Sequence, residues 1–193
     1  MSVSGALHKP SDWVARFAPL VPAGRTVLDV ACGNGRHSRL FAESGHPVVA
    51  VDIDLRGIAD LASEPRVELV RADLEGADWP FTGRRFGAIV VTNYLHRPLL
   101  PTLLSAIEPA GLVIYETFAI GNQRFGKPSN PAYLLRPGEL LAWAEPELQV
   151  IAYEHGEIAS PKAAVMQRIA AARDAGDAPD LDGYPGPWPL PRA

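Results

Sequence analysis

The stretch VLDVACGNGRHSRL, residues 27–40, sets Gly33 and Gly35 directly after a short apolar run and directly before a helical pattern. Glycines at such a turn let a ligand approach the backbone, and the amides opening the next helix meet it with partial positive charge. Asp52 ends the next apolar run, about 20 residues on, where an acid can accept hydrogen bonds from both hydroxyls of a ribose. A strand-end turn, with Asp54 as a helix cap, would place the same acid there without a ligand. Dinucleotides and other nucleoside cofactors share this geometry. A dinucleotide fingerprint expects a third glycine where this chain has Ser38, a small residue that weakens that reading without removing it. Asp29, inside the first run, is more telling: it would repel a pyrophosphate but could help hold an ammonium or a sulfonium, directly or through water. The pattern favours a nucleoside ligand with a cationic end.

These residues need a scaffold that brings several strand ends together. Short runs rich in Val and Ile predict strands at Thr26–Ala31, Pro47–Asp52, Val67–Ala72, Ala88–Thr92 and Gly111–Thr117. Helical segments are expected at Arg36–Ser44, Leu55–Ala62, Leu99–Ile107 and Pro137–Ala144. Ahead of them, Trp13, Val14, Phe17 and Leu20 share one helical face behind Ser11 as N-cap. Alternation of this kind makes a parallel sheet covered on both faces. Two further runs, Leu148–Glu154 and Ala163–Ala171, read as a hairpin closing one edge, although AVMQRIAAAR has helical propensity as well. The expected fold is therefore α/β, a Rossmann-like doubly wound mixed sheet of seven strands with a C-terminal antiparallel hairpin. Residues 1–172 form the domain. Residues 173–193, crowded with Pro, Gly and Asp, are expected to be a tail.

A chain of 193 residues suits one such domain, and its net charge of −4 gives no field that draws a polyanion. Nucleic acid is not expected as a partner. The one cysteine, Cys32, cannot form an internal disulfide and reads as a buried filler. No apolar run reaches the length of a membrane span or of a signal peptide's core, so the expected compartment is the cytoplasm, with no membrane partner. The five scattered histidines and single cysteine lack zinc-site spacing, so no metal is expected.

Taken in order, VLDVACGNGRHS, VAVDID and RADLEG resemble the first three motifs of class I S-adenosylmethionine-dependent methyltransferases. The longer run LDVACGNGRHSRLFAESGHPVVAVDID is similar to the small tellurite-resistance-type branch. The likeness covers residues 11 to about 172 and is strongest over 26–75. It implies S-adenosyl-L-methionine as cofactor, with Asp29, Ala31, Gly33 and Gly35 around its methionine end. By the same resemblance Asp52 binds the ribose, Asp73 and the Leu74 amide meet the adenine, Ile53 covers one adenine face, and Asn93 sits beside the methyl group.

Methyl transfer is an in-line displacement that positioning and desolvation can largely accelerate, so a dedicated base is optional. In TNYLHRPLL, residues 92–100, Tyr94 and His96 are candidates for catalysis; His96 could take a proton at neutral pH or simply brace the helix that follows. The segment lacks the two prolines often found here in enzymes that methylate base amines. Glu116, with Tyr115 and Phe118, should reach the ligand edge from the fifth strand, and Gly121–Pro131 is long enough for a lid. Arg124, Lys127 and Arg136 could recognise an anionic acceptor. The expected activity is methyl transfer to a small-molecule acceptor. The alternatives are an NAD(P)-dependent Rossmann reductase and a catalytically silent cofactor-binding module.

Overall fold

Ser11 caps a helix as its type predicts: its hydroxyl oxygen accepts the amides of Trp13 (3.1 Å) and Val14 (3.4 Å) at the start of α1 (Asp12–Phe17). The computed structural model describes residues 9–175. Of the tail expected at 173–193, residues 176–193 lie outside the described residues, and the Arg173 N–H donates to the Gly111 carbonyl at 2.8 Å. After α1 come β1 (Val27–Val30), α2 (Arg36–Glu43), β2 (Val48–Asp52), a 3₁₀ segment (Arg56–Ser63), β3 (Val67–Arg71) and β4 (Phe86–Thr92). Then follow α3 (Leu100–Ser105), β5 (Ile107–Phe118), α4 (Glu139–Ala144), β6 (Gln149–Ile158) and β7 (Ala164–Ala172).

The described strands form one seven-stranded sheet in the order β3-β2-β1-β4-β5-β7-β6. The first five are parallel, and β7 runs antiparallel to both β5 and β6, giving the expected hairpin edge. The alanine-rich run is thus a strand. Its helical propensity yields to placement between two partners, where residues 164–167 and 169–172 are buried.

Alternation along the strands builds a core on each face. Val27, Val48, Ala88, Val90, Leu112 and Ile114 face α1 and α2, packing with Trp13, Val14, Phe17 and Phe41. Burying each of these larger side chains contributes roughly 1.5–3 kcal/mol. Leu28, Val30, Val49, Val51, Ile89, Val91, Val113 and Tyr115 face the other way, against α3 and α4 through Leu100, Leu103, Leu104, Leu140 and Ala144. The sheet is doubly wound.

Two elements depart from expectation. The helix foreseen at Leu55–Ala62 is a 3₁₀ segment, in which Gly57 lies so near the glycine turn that a Cβ there would stand 3.3 Å from the Gly33 carbonyl oxygen. The fifth strand starts at Ile107 and runs through an irregularity: β4 pairs Phe86 with Ile107 and then Ala88 with Leu112. Ala110 in that excursion has φ +58°.

The chain passes from β1 outward to β2 and β3, then returns to place β4 on the opposite side of β1. A crevice opens where the order reverses, beyond the carboxyl ends of β1 and β4. Ala31 and Asn93, the residues immediately after those strands, both adopt left-handed backbone, at φ +52° and +54°. Such conformations in non-glycine residues are strained, and they concentrate at ligand sites.

Candidate active site

Gly33 and Gly35 turn the chain from β1 into α2 with φ +55° and +72°. A Cβ on Gly35 would come within 2.3 Å of Ile58, whereas one on Gly33 would meet nothing within 4 Å among the described atoms. Gly35 is thus fixed by packing, and Gly33 faces open space. Asp52 holds this turn in place: the Gly33 N–H donates to its Oδ2 and the Asp54 N–H to its Oδ1, each at 2.9 Å. Each oxygen retains a lone pair for a further donor.

A cavity of about 550 Å³ lies beside that carboxylate, lined by Ala31, Asp52, Ile53, Ala72, Asp73, Leu74, Glu75, Gly76 and Tyr94. Ile53 is 59% exposed there, an apolar side chain presented to the opening. Asp73 accepts the amides of Glu75 (3.0 Å) and Gly76 (3.1 Å), which shapes the floor of the turn. The Tyr94 hydroxyl is buried without a well-formed hydrogen bond among the described residues. Burial raises its pKa strongly, and the charges of Glu75, Asp73 and Asp52 reinforce the shift, so it stays protonated and able to donate.

A second cavity, of about 330 Å³, is lined by Asn93, the neighbour in sequence of Tyr94 at the first. Asn93, Arg36, Glu116 and Phe118 line it from the sheet edge, residues 9–12 close it from the N-terminal side, and Phe125, Lys127, Lys162, Met166 and Arg168 form the outer wall. Glu116 is 4% exposed and lies in register with Arg168, whose other neighbour is Glu154. Arg168 Nε stands 3.1 Å from Glu116 Oε2, and Nη1 3.3 Å from Glu154 Oε2. The Nε–Oε2 pair is not aligned as a hydrogen bond, and Glu116 Oε2 has no hydrogen-bond donor among the described residues.

The predicted residues divide between these cavities. Ala31, Asp52, Ile53, Asp73, Leu74 and Tyr94 gather at the first, and Asn93 and Glu116 at the second. Tyr94, expected beside the acceptor, lines the nucleoside-sized cavity instead. His96 lines neither; it is partly buried, with Nδ1 3.9 Å from Glu75 Oε2. Asp29 is 1% exposed and lines neither cavity, its carboxylate accepting the Ser38 hydroxyl at 2.6 Å. Burial pushes its pKa up to about 6. Cys32 is buried in a small apolar cluster with Ala50 and Ile58, and desolvation pushes its thiol well up, as suits a filler.

Of the three expected anion readers, only Lys127 lines the second cavity. Arg124 pairs with Glu157, and Arg136 lines neither cavity. Arg97 is a strut: its guanidinium holds Glu139 at 2.6 and 2.9 Å and the carbonyls of Ala132 (2.6 Å) and Leu134 (2.8 Å). The loop expected as a lid is tethered. Asn122, 2% exposed, accepts the Val165 amide (3.2 Å) and donates to the Pro128 carbonyl (3.0 Å), while Ile120 and Leu135 N–H groups bond across its base.

Arg36, Lys9, Lys162 and Arg168 were not foreseen. Arg36 alone had a local signal, as the first helical residue after Gly35. His37 was also missed: buried, with its pKa lowered to about 3 by burial and by Arg36, it accepts the Ser11 amide on Nε2 (3.2 Å) and approaches Thr92 Oγ1 through Nδ1 (3.5 Å). It ties the N-terminal wall to the end of β4. Among the described residues no group of His, Cys, Asp and Glu is arranged to hold a metal ion, and no helix is long and apolar enough to cross a membrane.

The methyltransferase-domain family matches residues 27–110, which span the glycine turn, Asp52, Asp73 and Asn93. Over those residues the chain is similar to a methyltransferase domain, and its seven-stranded sheet has the Rossmann-like methyltransferase fold. Over 107 residues it is 34% identical to demethylmenaquinone methyltransferase of Clavibacter sepedonicus, covering 50% of this chain and 42% of that one. Over 148 residues it is 25% identical to tRNA U34 carboxymethyltransferase of Methylococcus capsulatus, covering 66% and 44%. The chain spans less than half the length of these curated relatives. Its fold is similar to that of TehB from Haemophilus influenzae, with TM-score 0.67 at 18% identity over 84% of this chain and 62% of that one. It is similar too to the 1,6-didemethyltoxoflavin-N1-methyltransferase of Burkholderia thailandensis, solved with 1,6-didemethyltoxoflavin and S-adenosylhomocysteine (TM-score 0.60, 23% identity, 84% and 76% covered). In this chain the exposed Ile53, the open face of Gly33, the spare lone pairs of Asp52 and the Tyr94 hydroxyl make a site that fits a nucleoside.

Proposed function

We propose that the protein transfers a methyl group from S-adenosylmethionine to a small-molecule acceptor. The observation that carries this reading is the pair of cavities to which Tyr94 and Asn93 contribute, one of nucleoside size against Asp52 and one lined by Glu116 and aromatic residues. Asp52 would accept the ribose hydroxyls, Ile53 would cover the adenine, and Asp73 with the Leu74 amide would meet its edge. Tyr94 would donate to the nucleoside. Ala31, Gly33, Gly35 and Asn93 would surround the methionine end, with the Asp29 charge sensed from beneath. Arg36, at the second cavity, has the charge to pair with the methionyl carboxylate. Bound there, S-adenosylmethionine supplies an electrophilic methyl: an acceptor lone pair forms the new bond as the carbon–sulfur pair returns to sulfur, leaving S-adenosylhomocysteine. Glu116, which lines the second cavity, would take the acceptor's proton in preference to His96, which lines neither.

A nicotinamide reductase is disfavoured by Ser38 in place of the third glycine. A nucleic-acid acceptor finds support in the tRNA-modifying relative, but the second cavity has a small, walled volume and the chain is net acidic. The test is incubation with methyl-labelled donor and a small-metabolite panel alongside tRNA, ribosomal RNA and DNA. Label in small molecules is expected; label in nucleic acid alone would overturn the acceptor assignment.

A further inference from the structure

Five basic side chains line the second cavity against two acidic ones. Lys9 is neutralised by Asp12 at 2.8 Å, and Arg168 stands between Glu116 and Glu154. Arg36 is allotted above to the cofactor's carboxylate. Two cations remain. Lys127 and Lys162 make no ion pair or hydrogen bond with any described residue, yet they come from distant segments to the same wall: Lys162 Nζ lies 3.9 Å from where a Cβ on Gly126 would stand, next to Lys127. Both are exposed, so each long side chain can turn its ammonium group toward an anion held in the cavity. The same cavity is lined by the buried Glu116 carboxylate, with one oxygen lacking a donor. Phe118, Phe125 and Met166 add apolar surface to the lining, which suits a flat ring.

We propose that the acceptor is a small aromatic acid, its carboxylate held by Lys127 and Lys162 and its nucleophilic hydroxyl or amine hydrogen-bonded to Glu116. This assignment rests on the methyltransferase reading. In the reaction the O–H or N–H proton passes to Glu116 as the acceptor's lone pair takes the methyl group, so the ring carries no added charge into the product.

The experiment is titration calorimetry on the full chain. S-adenosylhomocysteine is titrated first; then 4-hydroxybenzoate, 3-hydroxybenzoate and 4-aminobenzoate are compared with their carboxamides on the loaded protein, with methyl transfer to each measured in parallel. Acids should bind about tenfold tighter than amides, the worth of one charge-assisted hydrogen bond. In Lys127→Met/Lys162→Met, an exposed pair whose loss should not affect folding, the acid preference should fall to near unity while S-adenosylhomocysteine affinity is kept. Equal affinity for acids and amides, no binding by any acid, a double variant that keeps the preference, or transfer confined to RNA would each overturn the proposal. Failure of the wild type to bind S-adenosylhomocysteine would instead overturn the cofactor reading beneath it.

Discussion

Asp52→Ala separates two roles that the structure gives to one carboxylate. In the folded chain Asp52 accepts the amides of Gly33 and Asp54, both at 2.9 Å, and offers its remaining lone pairs to the crevice. Alanine removes both bonds, but the freed amides lie where water can replace the lost acceptor, so the cost to stability should be about 1 kcal/mol. For a chain of this size that lowers Tm by roughly 2–4 °C. The loss to a bound ribose is larger. A charged acceptor for its hydroxyls contributes about 1.5–3 kcal/mol, which is about 10- to 150-fold in affinity. Calorimetric titration with S-adenosylhomocysteine reads that factor, and thermal unfolding reads the other. Asp54→Ala is the control, because Asp54 pairs with the exposed Arg56 at 2.6 Å and should change affinity by less than about twofold. A folded Asp52→Ala that binds S-adenosylhomocysteine as tightly as wild type would show that Asp52 serves only the turn.

Ala31→Gly should stabilise the apo protein by up to about 1 kcal/mol, because relief of a left-handed alanine at φ +52° outweighs glycine's extra freedom in the unfolded chain; a lowered urea midpoint would contradict this. Asp29 has its folded pKa raised to about 6 by burial, so its contribution is fully present below pH 3.8 and is lost as the pH rises through 6. Asp29→Asn should therefore gain on wild type between pH 4 and 7, by no more than about 3 kcal/mol, and the gap should close in acid. A gap independent of pH would refute the assignment. His37 runs the other way: its neutral ring contributes above pH 6.5, and that stability is lost as the pH falls toward about 3, so His37→Gln should blunt acid unfolding.

The strands were legible because Val- and Ile-rich runs such as Val48–Asp52 carry their burial in their composition, and the switch point follows from their order. The 3₁₀ segment was not, since its geometry answers to the close approach of Gly57 to Gly33, a contact between elements. The nucleoside side of the site could be read from one continuous stretch plus Asp52 and Asp73. On the acceptor side Glu116, Phe118 and Lys127 could be named, but not the basic side chains they would meet. Lys9, Lys127, Lys162 and Arg168 meet only through sheet topology, and Arg168 became a candidate once β7 was in register with Glu116. The strut role of Arg97 was not readable either, because its two carbonyl partners and Glu139 lie more than thirty residues away in sequence.

The most direct test of the central claim is titration of the purified chain with S-adenosylmethionine, S-adenosylhomocysteine, NADH and NADPH under identical conditions. One equivalent of either methionine nucleoside should bind, and a hundredfold excess over its Kd should add about 2.7 kcal/mol of stability. Binding of a nicotinamide dinucleotide with no response to either methionine nucleoside would contradict it.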